Sequence, residues 1–286
     1  MTAWTTYALH AAVAGAATYV AGWKYPHALM PPVRHNNRGE LLPLSLGPAV
    51  TAGLVVVDLA SLPLVLYRVA TTGHGVPQGA WALDAAILLV FAAGTYDDRR
   101  PGRTRGVAAQ LRPLLRGSVT PGAVKLGALL AAAATWGLVT GSSPFRLALA
   151  IPVIAGVANA WNLLDVTPGR ACKYGLLAAV PLFVYRPTRL AARLGSVLAV
   201  ALVPDVRERA MLGDAGANVI GFVMGGELFD RLGNRGLVGA LAALVLIHVL
   251  SETVTLSRII RAIPPLRWFD DLGRIRHPEN EGSTSS

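Results

Sequence analysis

The stretch MTAWTTYALHAAVAGAATYVAGW, Met1 to Trp23, contains no Asp, Glu, Lys or Arg. A helix needs about 20 mostly apolar residues to cross a bilayer core, and this run is long enough. A secretory signal would open on a basic segment, so the stretch is read as a retained first span. Working outward, similar charge-poor runs fall at about 44–67, 80–96, 121–141, 145–162, 172–187, 190–205, 215–230 and 236–258. The spacing predicts an all-α, polytopic integral membrane protein of about nine transmembrane helices. It forms one domain over 1–277, followed by a disordered tail over 278–286. The sixth span is short, because Tyr174 to Tyr185 covers only about 18 Å of helix. It crosses only if Lys173 and Arg186 snorkel outward. Pro152 and Pro181 predict kinks.

Composition agrees. The 286 residues are 53% hydrophobic and 15% charged, against about 25% charge in soluble domains, with a mean hydropathy of +0.49. That is too little polar surface for a water-soluble body of this size, and too apolar for a disordered chain. One cysteine, Cys172, excludes an internal disulfide and a Cys-rich metal centre. The net charge of +10 would suggest nucleic acid in a soluble protein. In nine spans with the N-terminus outside, 19 of the 26 Lys and Arg fall on the inner side. Positive charge collects there in membrane proteins, so the basic balance needs no nucleic acid.

Charges are costly in such a chain, and three acidic clusters sit at span ends. Gly94-Thr95-Tyr96-Asp97-Asp98 closes the third span, Asn159-Ala160-Trp161-Asn162-Leu163-Leu164-Asp165 closes the fifth, and Gly213-Asp214-Ala215-Gly216-Ala217-Asn218 opens the eighth. All three face the cytoplasm in an orientation set by Lys and Arg alone. Carboxylates on one face suit Mg²⁺, which takes a few carboxylates, waters and substrate phosphates. A cation would also relieve the repulsion between Asp97 and Asp98. The glycines around Asp214 would let a phosphate reach the backbone, and a helix start offers amide groups to an anion. Each cluster also has a structural explanation. Asp214 reads as an N-cap, the Asp pair beside Arg99 and Arg100 as a solvated loop, and the Asn residues as helix-to-helix hydrogen bonds.

At these residues the chain resembles the polyprenyl-phosphate N-acetylhexosamine-1-phosphate transferase superfamily. That group includes the phospho-MurNAc-pentapeptide translocase and the GlcNAc-1-phosphate transferases. Gly94 to Asp98 matches its Asp-Asp motif, Asn159 to Asp165 its Asn-x-x-Asn-Leu-x-Asp motif, and Gly213-Asp214 its Gly-Asp-x-Gly motif. Arg34-His35-Asn36-Asn37-Arg38-Gly39 resembles its basic segment after the first span. The resemblance runs over roughly residues 30 to 275. It implies a cytoplasmic-facing cleft and a Mg²⁺-dependent transfer (Mn²⁺ an option) of a sugar-1-phosphate from a UDP-sugar to a polyprenyl phosphate, with release of UMP. It further implies Asp214 as metal ligand with Asp98 assisting, and Asp97 beside the lipid phosphate. Asn159, Asn162 and Asp165 would stand around the diphosphate, and Lys125 and Arg116 at the lipid phosphate. The partners implied are the lipid, a nucleotide-sugar donor and the bacterial plasma membrane, with a homodimer among the assemblies allowed.

Two departures mark a divergent branch. After Asp165 the family continues Gly-x-x-Gly-Leu, whereas this chain reads Val166-Thr167-Pro168-Gly169-Arg170-Ala171. Arg170 is assigned here as a replacement substrate contact. The family's late His-containing loop has no counterpart, and Arg267 to Arg274, with Asp270-Asp271, stands in its place. Two other readings stay open. One is a catalytically altered relative that binds or moves a lipid-linked intermediate. The other is an ion-coupled small-solute transporter using the mid-span Asp58. His248 and Glu252 share a helix face as a candidate metal pair, while Asp84 and Glu227 read as structural.

Overall fold

The computed structural model describes residues 2–24, 32–36, 39–72, 78–100 and 117–275. The described residues are about 81% helical and form eleven helices. In chain order they are α1 (Ala3–Tyr19, running on through a π-helical turn at Val20–Lys24), α2 (Leu46–Thr72), α3 (Gln78–Arg99), α4 (Pro121–Val139), α5 (Pro144–Leu164) and α6 (Arg170–Tyr185). After them come α7 (Arg189–Val206), α8 (Gly213–Arg231), α9 (Asn234–Thr253), α10 (Leu256–Ala262) and α11 (Pro264–Asp271). A helix stands at each of the nine expected positions. Five contain segments long and apolar enough to cross a membrane: Leu46–Pro63, Gly79–Arg99, Pro121–Val139, Pro144–Leu164 and Asn234–Glu252. These define a helical protein of integral-membrane character. Arg116 and the tail at 278–286 lie outside the described residues.

Local sequence explains where the helices begin. Thr2, Thr120, Ser143 and Thr188 each accept a backbone N–H of the first turn that follows, in α1, α4, α5 and α7 respectively. Pro121 and Pro144 open α4 and α5, where a missing N–H costs nothing. Helices α5 and α6 continue through Pro152 and Pro181.

The centre of the bundle is α8, from which Ala215 to Glu227 is buried without interruption. It packs on α5, α3 and α2, while α1 packs on α7 and α2. Small residues allow the close approach that bilayer packing relies on. A Cβ on Gly94 of α3 would stand 2.5 Å from Ala215 Cα, so no larger residue fits where α3 crosses the start of α8. Helix α9 lies against α5 with only 11% of its apolar window buried, which leaves an outward apolar face suited to lipid.

One element departs from the all-helical expectation. Val33–His35 (β1) and Leu41–Pro43 (β2) pair antiparallel, Arg34 opposite Leu42, around a turn with Gly39 at φ +81°. Arg34 and His35 of the basic segment therefore lie in a strand of this pair. The pair is pinned to the chain before α8 by Met211 N–H to Pro43 O (3.0 Å) and by Asn36 Nδ2 to Glu208 Oε2 (3.1 Å).

Candidate functional site

The ends of α3, α5 and α7 and the starts of α4 and α8 come together at one end of the bundle. Their charged side chains form one cluster. Lys125, buried in the first turns of α4, places Nζ 2.6 Å from Asp97 Oδ2 and 2.9 Å from Asp214 Oδ2. Asp98 turns to the start of α8, where its two oxygens accept the N–H groups of Asp214 (2.9 Å) and Ala215 (3.0 Å). Arg34, carried in by the hairpin, stands 3.7 Å from Asp98 Oδ1 and 4.0 Å from Asp214 Oδ1.

This arrangement revises two expectations. Asp214 is not an N-cap: α8 begins at Gly213, which takes φ +66°, and the capping carboxylate is Asp98 from another helix. The amides expected to meet a phosphate are thereby taken by Asp98. The Asp98 side chain is 2% exposed against 23% for Asp214. Asp98 therefore orients the start of α8, and Asp214 is the carboxylate that solvent reaches.

Asp165 follows the last turn of α5, where its N–H bonds Trp161 O (3.1 Å). Its carboxyl is pushed well above the usual carboxylate range, first by burial and then by the negative charges of Asp205, Asp214 and Asp98, against which Arg34 acts weakly. The motif acids thus stand within electrostatic reach of one another. For Asp214, burial raises the carboxyl, but Lys125, the hydrogen bond with Asp97 and the Arg34 charge outweigh it and hold the group below its ordinary value.

Sequence reading missed Asp205, buried near the end of α7 with Oδ2 unpartnered. An acid closing a charge-poor run at the same end as the others was the signal available. Asn162 shares with Ala158 and Asp165 the α5 face that packs on α8. Asn159 lies one turn earlier, and among the described residues neither Asn side chain is hydrogen-bonded. The Asn218 side chain donates to Asp214 O (2.6 Å), and its own oxygen is buried and unpartnered. Among the described residues no three His, Cys, Asp or Glu form a ready-made metal cage. Beside the cluster lies a cavity of about 590 Å³, whose wall includes Leu44, Pro48 and Phe91 together with Asp98, Arg99 and Arg100.

Other candidates go elsewhere. Arg170, expected at the substrate, is 1% exposed, and donates through Nε and Nη2 to both Asp270 oxygens (2.7 and 2.8 Å) and through Nη1 to Ser257 (2.7 Å). Lys173 does not snorkel but bonds the Asp270 and Leu272 carbonyls. Asp58 is held at both oxygens by Arg193, which also bonds Leu54 O and His10. His248 Nδ1 bonds Leu244 O (2.7 Å), and Glu227 pairs with Arg231.

The fold and the cluster define a helical protein of integral-membrane character with a carboxylate-rich site at one end. No family model matches the chain, and no curated protein matches it.

Proposed function

We propose that the chain is a divergent polyprenyl-phosphate hexosamine-1-phosphate transferase. It would span the membrane nine times with the carboxylate end in the cytoplasm, and move a sugar-1-phosphate from a UDP-sugar to a polyprenyl phosphate in envelope-glycan synthesis. The observation that carries this reading is the meeting of Asp97, Asp98, Lys125, Asp165 and Asp214, drawn from four helices, around the start of α8. A set of ionisable groups in an apolar chain, distant in sequence and adjacent in space, is what phosphoryl transfer requires.

The donor set fits Mg²⁺, which is held by one or two carboxylates and completes its shell with water and substrate phosphates. Asp97, Asp98, Asp165 and Asp214 stand against Lys125 and Arg34, leaving negative charge in surplus, which adds to burial in raising Asp165. Asp214 is the accessible ligand, with Asp97 beside it, and Asp98 fixes the backbone that carries Asp214. When bound, the ion supplies charge neutralisation at the diphosphate.

In the reaction an oxygen of the lipid phosphate attacks the sugar-bearing phosphorus, the bond to the UMP oxygen breaks, and UMP leaves. A phosphomonoester has a second pKa near 6, so little base assistance is needed. Arg34, on its hairpin and 35% exposed at the side chain, is placed to follow the leaving phosphate. The open amides of Asn159 and Asn162 are placed for the sugar and diphosphate. The cavity walled by Leu44, Pro48 and Phe91 with Arg99 and Arg100 suits an apolar chain ending in a phosphate. The transporter reading loses ground because Asp58 is fully engaged by Arg193.

The test is UMP release by purified protein from a panel of UDP-sugars with a polyprenyl phosphate and Mg²⁺. Asp214→Asn is expected to lower turnover by about 10²–10³-fold, the usual effect of removing one transition-state electrostatic group. Wild-type turnover that Asp214→Asn leaves unchanged refutes the metal role. Mg²⁺-independent lipid binding without turnover on the whole panel would favour the non-catalytic relative.

A further inference from the structure

At the opposite end of the bundle from the carboxylates lies a cavity of about 420 Å³, at the ends of α4, α6 and α8 and the starts of α5 and α7. Three guanidinium groups line it, Arg146, Arg186 and Arg231, against one carboxylate, Asp230, with hydroxyls from Thr140, Ser142 and Thr188. Their engagement is unequal. Arg231 is spent on the Glu227 carboxylate and on the carbonyls of Leu182 and Arg186. Arg146 lies over the Phe229 ring at 4.4 Å and donates to Phe229 O (2.7 Å), with a long contact to Asn234 (3.4 Å). Arg186 has one long bond, to Asp230 O (3.4 Å), and is exposed. Asp230 is drawn toward Trp136 Nε1 at 3.2 Å. Arg146 and Arg186 therefore present unused donors to the cavity, in the forked geometry that grips phosphate oxygens.

The surroundings say how such a phosphate is carried. Leu138, Phe145, Val184 and Tyr185, on the same helix ends, are 60–82% exposed. Outward apolar and aromatic side chains next to arginines mark the level where a bilayer gives way to water. We propose that Arg146 and Arg186 form a binding site for the phosphate of a diacyl lipid headgroup, its acyl chains lying along those four side chains. The site lies in the leaflet away from the carboxylate end.

The test uses full-length protein in a neutral detergent. Thermal shift and native mass spectrometry are run with phosphatidylglycerol, uncharged diacylglycerol and inorganic phosphate, on wild type and the Arg146→Gln/Arg186→Gln pair. Phosphatidylglycerol is expected to stabilise and co-purify with wild type, and the pair to bind it at least about tenfold more weakly, as loss of one charge-assisted hydrogen bond implies. Arg186→Gln alone, at an exposed side chain, gives the same direction if the pair folds poorly. Stabilisation by inorganic phosphate at matched concentration upholds the phosphate site and assigns it to a free anion. Equal shifts with diacylglycerol, or a phosphatidylglycerol shift unchanged in Arg186→Gln, overturn the proposal. None of these readouts depends on transferase activity.

Discussion

Two groups of buried charge stand at the same end of this molecule and are built on opposite rules. Around Arg170 every demand is met: Asp270 takes two guanidinium bonds, Ser257 a third, and Lys173 closes the carbonyls of Asp270 and Leu272. Burial raises the Asp270 carboxyl, yet the Arg170, Lys173 and Arg274 charges hold it below its ordinary range. Around Lys125 the demand is left open: Asp97 and Asp214 share Lys125, Arg34 stands near Asp98 and Asp214, and the negative charge of this group reaches Asp165. A balanced group fastens the C-terminal helices to the start of α6. An unbalanced group is costly alone, and in the function proposed above a cation and a phosphate would complete it. The first difference to test is Arg170→Met, which strands a buried carboxylate and should cost about 3–5 kcal/mol. Adding Asp270→Leu should recover most of that loss. Thermal unfolding of both variants measures it, and equal losses in the two would show that the pair is not the fastening.

Lys125→Met probes the other rule. It leaves Asp97 and Asp214 facing each other, but Asp214 is 23% exposed at its side chain and can keep water. The expected loss is smaller, about 1–3 kcal/mol. The sharper outcome is rescue. Mg²⁺ should raise the melting temperature of Lys125→Met by more than that of wild type, and that of Arg170→Met by no more than that of wild type. Similar Mg²⁺ responses in the two variants would erase the distinction between the groups.

Most of the helical frame was legible because apolar runs of the right length admit few other arrangements. The three acidic motifs were legible because a charge in such a chain is costly and persists only where something uses it. What escaped reading depends on partners far apart in sequence. Nothing near Arg170 announces Asp270, 100 positions away, so Arg170 was assigned to substrate. Asp98 as the cap of α8 needs the crossing at Gly94 and Ala215, which a linear motif does not carry. The hairpin at 33–43 reads locally as a basic loop, and its strand pairing is visible only with the chain before α8 to hold it. Asp205 was hidden because Arg207 and Arg209 follow it, and an acid in such company reads as surface.

The smallest effect concerns pH. Because the folded chain raises the Asp165 carboxyl, it holds that proton more tightly than the unfolded chain does. This stabilisation is full below the ordinary carboxylate range and is lost as the pH rises through the raised value. Asp214 is lowered, so it works the other way: its contribution is present above the ordinary range and fades only as the pH falls through its depressed value. Without divalent cation, wild type should therefore lose part of its stability as the pH rises above the ordinary carboxylate range and through the raised value of Asp165. Asp165→Asn should flatten that slope and raise the apparent melting temperature at neutral pH by about 2–4 °C, for about 1 kcal/mol gained. It should also shrink the Mg²⁺-induced shift, because part of the surplus charge is gone. Melting curves across that pH range, with chelator and with Mg²⁺, decide it. A slope unchanged in Asp165→Asn would mean that Asp165 does not feel the other carboxylates, and the unbalanced group would reduce to Asp97 and Asp214 with their shared lysine.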